Sequence, residues 1–471
     1  MLPPMQTQTL PAAATAPRHS RLALLALCLA VLAAQIDTAV VNLATRAIGA
    51  DLHAGLDALQ WIIDSYNLVY AALLLTGGLL ADLHGRRRLF AIGAAVFTAA
   101  SLLCAAAPSA PALILARALA GSGAALLIPA SLSLIRVVWP GSAERARALG
   151  IWAACNGLAM AIGPTLGGLL IGHAGWRGIF LAVVPFSAAA LALALICLPE
   201  SSDPQDRHFD GSAQLLGALA LGGLAYAAIQ SHTSPAAALA AFLIALASLA
   251  LFLREEKRRG SAALVPLGLF RSRPFCGACA ATAGMTFGMY GALFLLPLAW
   301  QVAGRFDAVQ TGLALMPMAL VFVTVSPCSA AVAARYGSRV AAASGLAIIG
   351  TGLLLIGASA HVASVLPAGF GLALTGLGMG LATGPLMGAA IGAVPAARAG
   401  TASALINVAR MVGATAGVAL LGTVYAIAGG GVEGLRAAMA AGGAVQVACA
   451  AGTWVAMKEK AVLPPDHEPG P

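Results

Sequence analysis

Four ionisable side chains interrupt long apolar runs of the sequence: Asp37, Asp64, Arg117 and Arg410. A charge at the centre of a membrane helix costs about 2.5–3.5 kcal/mol, so its presence there points to a function. A carboxyl group in such a place can gain and lose a proton, because desolvation favours its neutral form and a nearby cation favours its charged form. Asp37 and Asp64 are therefore candidate protonatable groups. The alternative is that either one lies near a helix end and is simply hydrated.

The composition requires these runs to lie in a membrane. Of 471 residues, 60% are hydrophobic and 9% are charged, whereas soluble domains contain about 25% charged residues. The mean hydropathy of +0.91 excludes a large soluble helical protein, because a soluble core still needs a polar surface. The net charge of +9 does not indicate nucleic-acid binding, since the basic residues occupy short loops between apolar runs.

Fourteen runs are long enough to form membrane-spanning helices, which need about 20 apolar residues each. The predicted spans are 22–45, 58–81, 88–107, 111–136, 146–171, 177–198, 213–230, 236–253, 275–301, 309–333, 339–359, 364–391, 400–428 and 436–457. We group them into an all-α polytopic protein of two six-helix bundles, 21–198 and 261–457, separated by two inserted helices in 199–260. Residues 1–20, expected to be disordered, and 458–471 are predicted to be cytoplasmic tails.

The basic residues orient these spans. With the N-terminus inside, twenty Lys and Arg residues fall in cytoplasmic segments, four in external segments and two within spans. Such a bias is typical of the positive-inside rule. We therefore expect a multi-pass cell-membrane protein with both termini in the cytoplasm.

An internal repeat supports the grouping into two halves. The matching residues are Gly121 with Gly376, Gly123 with Gly378 and Pro140 with Pro395 at an offset of 255, and Gly85 with Gly337 at an offset of 252. Chance similarity among Gly- and Ala-rich helices is the alternative. Membrane transporters are commonly built from such repeats, with the substrate site near the midplane between them. Because Leu372 occupies the position equivalent to Arg117, we infer that coupling chemistry lies mainly in the first half.

Three sequence motifs carry a family resemblance. A loop motif after the second span contains Gly78, Asp82, Gly85, Arg86 and Arg87; the fourth span contains Arg117-x-x-x-Gly121-x-Gly123; the fifth contains Gly163, Pro164, Gly167 and Gly168. The first span adds Asp37, Asn42 and Ala44 in "DTAVVNLATR". In these motifs the chain resembles the fourteen-span drug:proton antiporters of the major facilitator superfamily, particularly methylenomycin-resistance-type and quaternary-ammonium-type exporters. Leu83, Ala39, Arg46 and Ala159 depart from the usual motif residues.

The resemblance implies specific roles for charged residues. Asp37 and Asp64 would couple to protons or bind cations. The resemblance also implies that the first and fourth spans lie next to each other, so we expect Arg117 to contact Asp37 or the backbone carbonyls of the first span. Arg117 would then stabilise ionised Asp37, although a purely structural tie is the alternative. Asp82, with Arg86 and Arg87, would latch the two halves at the inner face, with Arg145 or Arg147 as partner; topology signalling by charge is the alternative.

Other positions are expected to form the cavity and its seal. The resemblance implies that Gly163, Pro164, Gly167 and Gly168 kink the fifth span and seal the halves against proton leak, the alternative being ordinary helix packing. Candidate cavity residues are Asn42, Tyr66, Asn156, Tyr290, Asn407 and Arg410. Aromatic contacts with a flat or cationic ligand could come from Trp61, Tyr66, Tyr70, Trp152 and Tyr290, although anchoring at the membrane interface is the commoner role for a residue such as Trp61.

The predicted function is proton-coupled efflux of hydrophobic or cationic small molecules. A proton-coupled importer of a small metabolite on the same fold is the alternative. No catalytic constellation lies at membrane depth, so we expect no enzyme activity, and the sequence offers no metal site. The expected partners are a small-molecule substrate, protons and lipid. We expect no cofactor, since a proton gradient drives transport, and a monomer.

Overall fold

The computed structural model describes residues 20–202, 210–231, 233–260, 263, 265, 267–362, 365–394 and 398–457, and its secondary structure is helical. The two predicted tails therefore lie almost entirely outside the described residues. The α-helices, in chain order, are α1 Ser20–Val41, α2 Thr45–Leu52, α3 Leu56–His84, α4 Arg86–Ala106, α5 Ala110–Val138, α6 Ser142–Cys197, α7 Gly211–Gln230, α8 Pro235–Arg259, α9 Arg273–Val302, α10 Ala308–Val325, α11 Ser329–Tyr336, α12 Ser338–Ala358, α13 Leu366–Gly392, α14 Ala399–Ile427 and α15 Gly431–Ala456.

α6 contains two membrane crossings. At 56 residues a straight helix would be about 84 Å long, far more than a bilayer requires. Gly175 breaks it with φ 69° and ψ −179°, a conformation open essentially only to glycine. The two parts of α6 pack closely at this break, since a methyl group on Gly178 would lie 2.6 Å from Cβ of Ala174.

The helices confirm the predicted fold class. Thirteen described segments are long and apolar enough to cross a membrane, and one of them, Ile162–Cys197, includes the break at Gly175. Dividing it there yields the fourteen predicted crossings. The first crossing is longer than predicted, since a 3-10 turn at Asn42–Ala44 joins α1 to α2 and extends the segment to Leu52.

Two bundles repeat the same helix contacts. A methyl group on Gly121 of α5 would strike the backbone of Tyr66 in α3, and one on Gly123 would strike Gly93 and Phe97 in α4. In the second bundle, Gly376 of α13 meets Met318 of α10 in the same way, and Gly378 meets Gly345 and Ile349 of α12. The contacted residues Tyr66 and Met318, Gly93 and Gly345, and Phe97 and Ile349 are each separated by 252 residues. Packing therefore supports a duplication over chance similarity; Pro395 lies outside the described residues.

In the described residues, the hydrogen bonds that join the two bundles lie near one end of the helices. We call the end with Arg86 and Arg259 the basic end, and the end with Asp51 and Arg177 the opposite end. The Gln60 amide of α3 donates to the carbonyls of Val418 and Ala419 in α14, at 3.0 and 2.9 Å, near the opposite end. The Gln301 amide of α9 donates to Leu43 O at 3.0 Å, also near that end.

Glycine contacts close the same end. A methyl group on Gly168 of α6 would lie 2.6 Å from Ala308 O at the start of α10. The hydrogen bonds and glycine contacts that join the bundles in the described chain thus lie between the middle of the helices and the opposite end. The described structure is closed at the opposite end.

The hairpin of α7 and α8 packs against the seam between α3 and α14. The Gln214 amide donates to Ala72 O of α3 at 2.6 Å, and Thr423 of α14 donates to Ala228 O at 2.8 Å. At the basic end, Asp210 accepts from the Ala213 amide and pairs with Arg259 at 2.9 Å. Burial raises the pKa of Asp210, but these hydrogen bonds and Arg259 outweigh it, so its pKa lies below the usual value.

The break at Gly175 gives a test that isolates backbone conformation. A methyl group there would meet nothing within 4 Å, so Gly175→Ala adds no clash. We expect it to lower stability by about 1–3 kcal/mol, because the backbone must enter a region that alanine avoids. The measurement is the melting temperature of the purified protein in detergent.

Gly55→Ala is the matched control, since Gly55 also precedes a helix in open space but has φ −71°. Equal melting temperatures for the two variants would contradict the assigned break.

Candidate functional site

The centre of the first bundle contains a buried ion pair. Arg117 Nη1 lies 2.5 Å from Asp37 Oδ2, and both side chains are 2% exposed. Arg117 Nε also donates to Ile62 O of α3 at 3.2 Å. The expected contact with Asp37 is present, while the carbonyl partner lies in α3 and not in the first span. Three helices are thus joined by one guanidinium.

Aromatic rings enclose this ion pair. The guanidinium carbon of Arg117 lies 4.5 Å from the ring centroid of Tyr66 and 5.9 Å from that of Phe180. Tyr66 in turn stacks on Tyr70, with centroids 6.2 Å apart and planes 19° apart. The rings exclude water and add cation–π attraction, so the pair lies in a dry environment where its electrostatic attraction is strong.

Asp64 lies in a different environment. It is fully buried in α3, and neither carboxylate oxygen has a hydrogen-bond partner in the described residues. The neighbouring buried groups Ser65 Oγ and Asn67 Oδ1 also lack partners. An ionised carboxylate in such a place costs far more than a neutral carboxyl. The sequence-based alternative of a hydrated helix end does not fit the burial of Asp64 or of Asp37.

Arg410 lies near the middle of α14, at the junction of the bundles. Its electrostatic neighbours include Tyr70 of the first bundle and Tyr290 of the second. Its carbonyl accepts from Thr286 of α9 at 2.7 Å, which anchors the backbone. The Nε atom is buried without an acceptor. Tyr70, Tyr290 and Arg410 therefore lie on three helices that pack together across the junction, α3, α9 and α14.

The glycines of the fifth-span motif pack α6 against two helices. A methyl group on Gly163 would lie 2.6 Å from Cβ of Ala39, and one on Gly167 would lie 3.0 Å from Cβ of Val40. Gly168 faces α10, as described above, and Gly312 of α10 packs on the carbonyl of Pro164. The motif thus lies two to three residues from Asp37 along α1 and takes part in the closed junction.

The loop motif forms a network within the first bundle. Arg86 donates to Asp82 Oδ1 at 3.0 Å, one helical turn away. In the described structure the turn at Gly85, where φ is 107°, brings Arg86 back onto Asp82. A pairing of Asp82 with Arg145 or Arg147 in the outward-open state stays a prediction. Gly78 packs on Pro129 of α5.

Glu200 binds the backbone amides at the start of α4. Its carboxylate accepts from the backbone N–H groups of Arg87 and Arg88 at 3.1 and 3.2 Å. The Arg87 side chain donates to Leu198 O at 3.3 Å. Negative charge is stabilised at a helix N-terminus, so this cap fixes the turn between α3 and α4.

Two predicted cavity residues, Asn42 and Asn407, form hydrogen bonds within their own helical segments. Asn42 is buried in the 3-10 turn, where its amide donates to Thr38 O at 3.2 Å. Asn407 donates to Ser403 O of its own helix at 2.9 Å. The side chain of Asn156 lies outside the described residues.

Sequence reasoning missed the two glutamines of the junction and Glu200. Gln60 and Gln301 are polar residues near the ends of apolar runs, which is also where hydrated residues occur. Only the packing of residues hundreds of positions apart reveals their partners. Glu200 could have been suspected, because it follows the sixth span at the end where Arg86–Arg88 lie.

Fourteen apolar crossings in two repeated bundles, with buried charges at their centre, define a membrane transporter. Two solved peptide transporters of the POT family share this fold, each with a TM-score of 0.69. One is 14% identical, and the match covers 91% of this chain and 94% of that structure's chain. The other is 16% identical, and the match covers 92% and 94%. The family model described as Major Facilitator Superfamily matches residues 25–418 of this chain. The chain belongs to that family and is therefore a transporter and not an enzyme.

Several relatives are similar over most of the chain. "Multidrug resistance protein Stp" of Mycobacterium tuberculosis (strain ATCC 25618 / H37Rv) is 37% identical over 81% of this chain and 71% of its own length. "Multidrug efflux pump LfrA" of Mycolicibacterium smegmatis is 34% identical, over 83% and 77%. "Methylenomycin A resistance protein" of Bacillus subtilis (strain 168) is 39% identical, over 64% and 65%.

A double-mutant cycle tests the ion pair at the centre of the site. We expect Asp37→Asn or Arg117→Gln alone to lower the free energy of unfolding by about 3–5 kcal/mol, because each leaves a buried charge unpaired. The double variant should cost less than the two added together, by at least about 1 kcal/mol. Unfolding by SDS in mixed micelles measures these differences.

The exposed pair Asp51–Arg177, 2.6 Å apart and 42–47% exposed, supplies the control cycle. Its coupling should be about 0–1 kcal/mol. Additive effects at Asp37 and Arg117 would contradict the buried pair.

Proposed function

We propose that this chain is a proton-coupled exporter of hydrophobic or cationic small molecules such as drugs or antibiotics. The observation that carries the proposal is the contrast between two buried carboxyl groups, one paired with Arg117 and one without a partner. The relatives named as multidrug and methylenomycin resistance proteins support the cargo class. No cofactor is needed, because the proton gradient supplies the energy.

In the proposed mechanism, the Asp37–Arg117 pair responds to a proton. Arg117 stabilises ionised Asp37, and protonation of Asp37 removes the attraction that holds α1 to α5. The guanidinium would keep its hydrogen bond to Ile62 O and its contact with Tyr66, both in α3. A proton arriving at Asp37 would therefore loosen α1, whose other neighbour is the glycine face of α6.

Asp64 is proposed as the second coupling group, carrying a proton in the described state. Its burial without a partner favours the neutral carboxyl. Opening of the junction that Gln60 closes, one helical turn away, would expose Asp64 to water and let it exchange its proton. Asp37 and Asp64 would thus respond to different openings of the same protein.

We propose that the basic end is cytoplasmic, so that both termini lie inside. The excess of Lys and Arg in the loops of that end supports this orientation. The closed opposite end then faces outward, and cargo would enter from the cytoplasm or the inner leaflet. One proton moving inward across 100 mV supplies about 2.3 kcal/mol. We propose that the chain works as a monomer surrounded by lipid.

The motifs have proposed roles in this cycle. Pro164 and Gly168 would keep the outer junction tight enough to exclude protons, which their contacts with Gly312 and Ala308 support. Gly163 and Gly167 would hold α6 against α1, at Ala39 and Val40. The latch that Asp82, Arg86 and Arg87 form between the halves belongs to the outward-open state and stays a prediction. The hydrogen bonds of Asp82, Arg86 and Glu200 would hold the turn between α3 and α4 in one conformation until the latch forms.

Transport in inverted membrane vesicles tests the function. Wild type should accumulate a fluorescent cation such as ethidium when a proton gradient is imposed, and a protonophore should collapse the accumulation. Asp37→Asn, Asp64→Asn and Arg117→Ala should each lower the initial rate at least about tenfold, an effect of at least ~1.4 kcal/mol. Immunoblotting of the vesicles checks that each variant is in the membrane.

Glu433→Gln is the matched control, since Glu433 is an exposed acid at the start of α15 and its variant should transport normally. Gradient-driven uptake by Asp37→Asn/Asp64→Asn at the wild-type rate would refute the proposed coupling. Movement of cargo only in the opposite direction would favour the importer, a proton-coupled symporter of a small metabolite.

A further inference from the structure

Arg410 is a partly buried cation, with a fully buried Nε atom, for which the described residues supply no ion-pair partner. The described ion pairs do not include it, and its Nε has no acceptor. Asp37 is already paired with Arg117. Asp64, the other acid at membrane depth, has no hydrogen-bond partner at either oxygen. A guanidinium at membrane depth is costly, so an unpaired one indicates a ligand of opposite charge.

The position of Arg410 suits a cargo site. It lies eleven residues from the start of α14, about 16 Å along the helix and thus near the middle of the membrane. Transporter substrates bind near the midplane between the two halves. α14 belongs to the second bundle, and Tyr70 in α3 approaches Arg410 from the first. A molecule bound there would touch both moving parts.

The surroundings of Arg410 complete an acid-binding arrangement. Arg410 is anchored through its backbone to Thr286 of α9, and Gly413, one turn further along, packs on the same helix. Tyr70 of α3 and Tyr290 of α9 are buried on the two helices that pack against α14, and their hydroxyl groups can donate hydrogen bonds to an anion. Guanidinium groups bind carboxylates with two parallel hydrogen bonds.

We propose that Arg410, with the hydroxyl groups of Tyr70 and Tyr290, binds the ionised acidic group of a hydrophobic cargo, such as a carboxylate on an aromatic or aliphatic body. The inference rests on the exporter function proposed above and specifies one cargo class within it. Uncharged cargo gains nothing from Arg410, and a cation such as ethidium would bind elsewhere in the cavity, away from Arg410. The inside-negative potential would also favour outward movement of the anion.

The stacked tyrosines give this site a route to the proton-binding pair. Tyr70, next to Arg410, stacks on Tyr66, which covers Arg117. An anion that draws Tyr70 toward Arg410 would shift Tyr66 on the guanidinium of Arg117. Binding of acid cargo and protonation of Asp37 would then influence each other through two rings.

A matched pair of probes tests the proposal: 1-pyrenebutyric acid and its primary amide, which differ only in the charged group. Their dissociation constants are measured by tryptophan-to-pyrene energy transfer to the purified full-length protein at neutral pH, without any gradient. Wild type should bind the acid about tenfold tighter than the amide, or more, as a charge-assisted hydrogen bond predicts.

Variants of Arg410 locate the preference. In Arg410→Gln the ratio of the two constants should fall to about 1, whereas Arg410→Lys, which keeps the charge, should retain part of it. Arg436→Gln, at an exposed arginine of α15 that is 4.0 Å from Glu433, should keep the wild-type ratio. Size-exclusion chromatography checks that each variant folds. If Arg410→Gln does not fold, Tyr290→Phe replaces it in the test. Tyr290→Phe removes one hydrogen-bond donor and should lower the acid-to-amide ratio.

Equal binding of acid and amide by wild type, or an unchanged ratio in Arg410→Gln, would overturn the proposal. Asp64 would then be the better candidate counter-charge for Arg410, in another state of the transporter. Because binding is measured at equilibrium, a failure of ethidium transport in vesicles would count against the exporter function alone.

Discussion

The ion pair between Asp37 and Arg117 is the constraint on which the first bundle depends. Two charges can remain in a dry interior only when their mutual attraction and additional hydrogen bonds offset the loss of water. Arg117 therefore requires α1, α3 and α5 to meet at one point. Asp37 supplies the opposite charge, Ile62 O accepts a further hydrogen bond, and the Tyr66 ring adds a cation–π contact. Glycine at 121 is needed because any side chain there would separate α5 from the backbone of Tyr66. The pair that is proposed to sense protons is thus also the reason for the local packing.

The second bundle repeats this packing without its charge. Gly376 meets Met318 where Gly121 meets Tyr66, and Leu372 replaces Arg117. Duplication has therefore preserved the close approach of helices, which depends on missing side chains, while the chemistry differs between halves. The second bundle contributes its own cation, Arg410, on a helix that faces the junction. Such asymmetry lets one half respond to protons and the other to cargo, provided that the tyrosines between them transmit the change.

The fold was largely predictable, and the partners of individual residues were not. Whether a segment prefers lipid depends on its own composition, so all crossings and the break near Gly175 follow from apolar runs and their polar interruptions. The contact of Arg117 with Asp37 was predictable because a buried guanidinium has few acceptable partners. Asp82 has many possible partners, because several arginines lie at the same membrane face, and its pairing with Arg86 depends on the turn at Gly85. The burial of Asp64 could not be derived from its place six residues inside a run, since that position is compatible with water as well as with a neighbouring helix.

The chemistry of the closed junction differs from that of the bundle centre for a physical reason. A transporter must break the contacts between its halves in every cycle, whereas most of the packing within a half persists and, in the proposed mechanism, only the Asp37–Arg117 pair responds to a proton. Gln60 and Gln301 join the halves through neutral amide hydrogen bonds, and such bonds are worth on average about 0.6 kcal/mol within membrane proteins. Water can replace each of them when the junction opens. An ion pair as tight as Asp37–Arg117 at the same place would resist opening and would leave two charges to hydrate. Ionic contact inside the first bundle, with amide and glycine contact between bundles, therefore gives rigid halves that can separate at low cost.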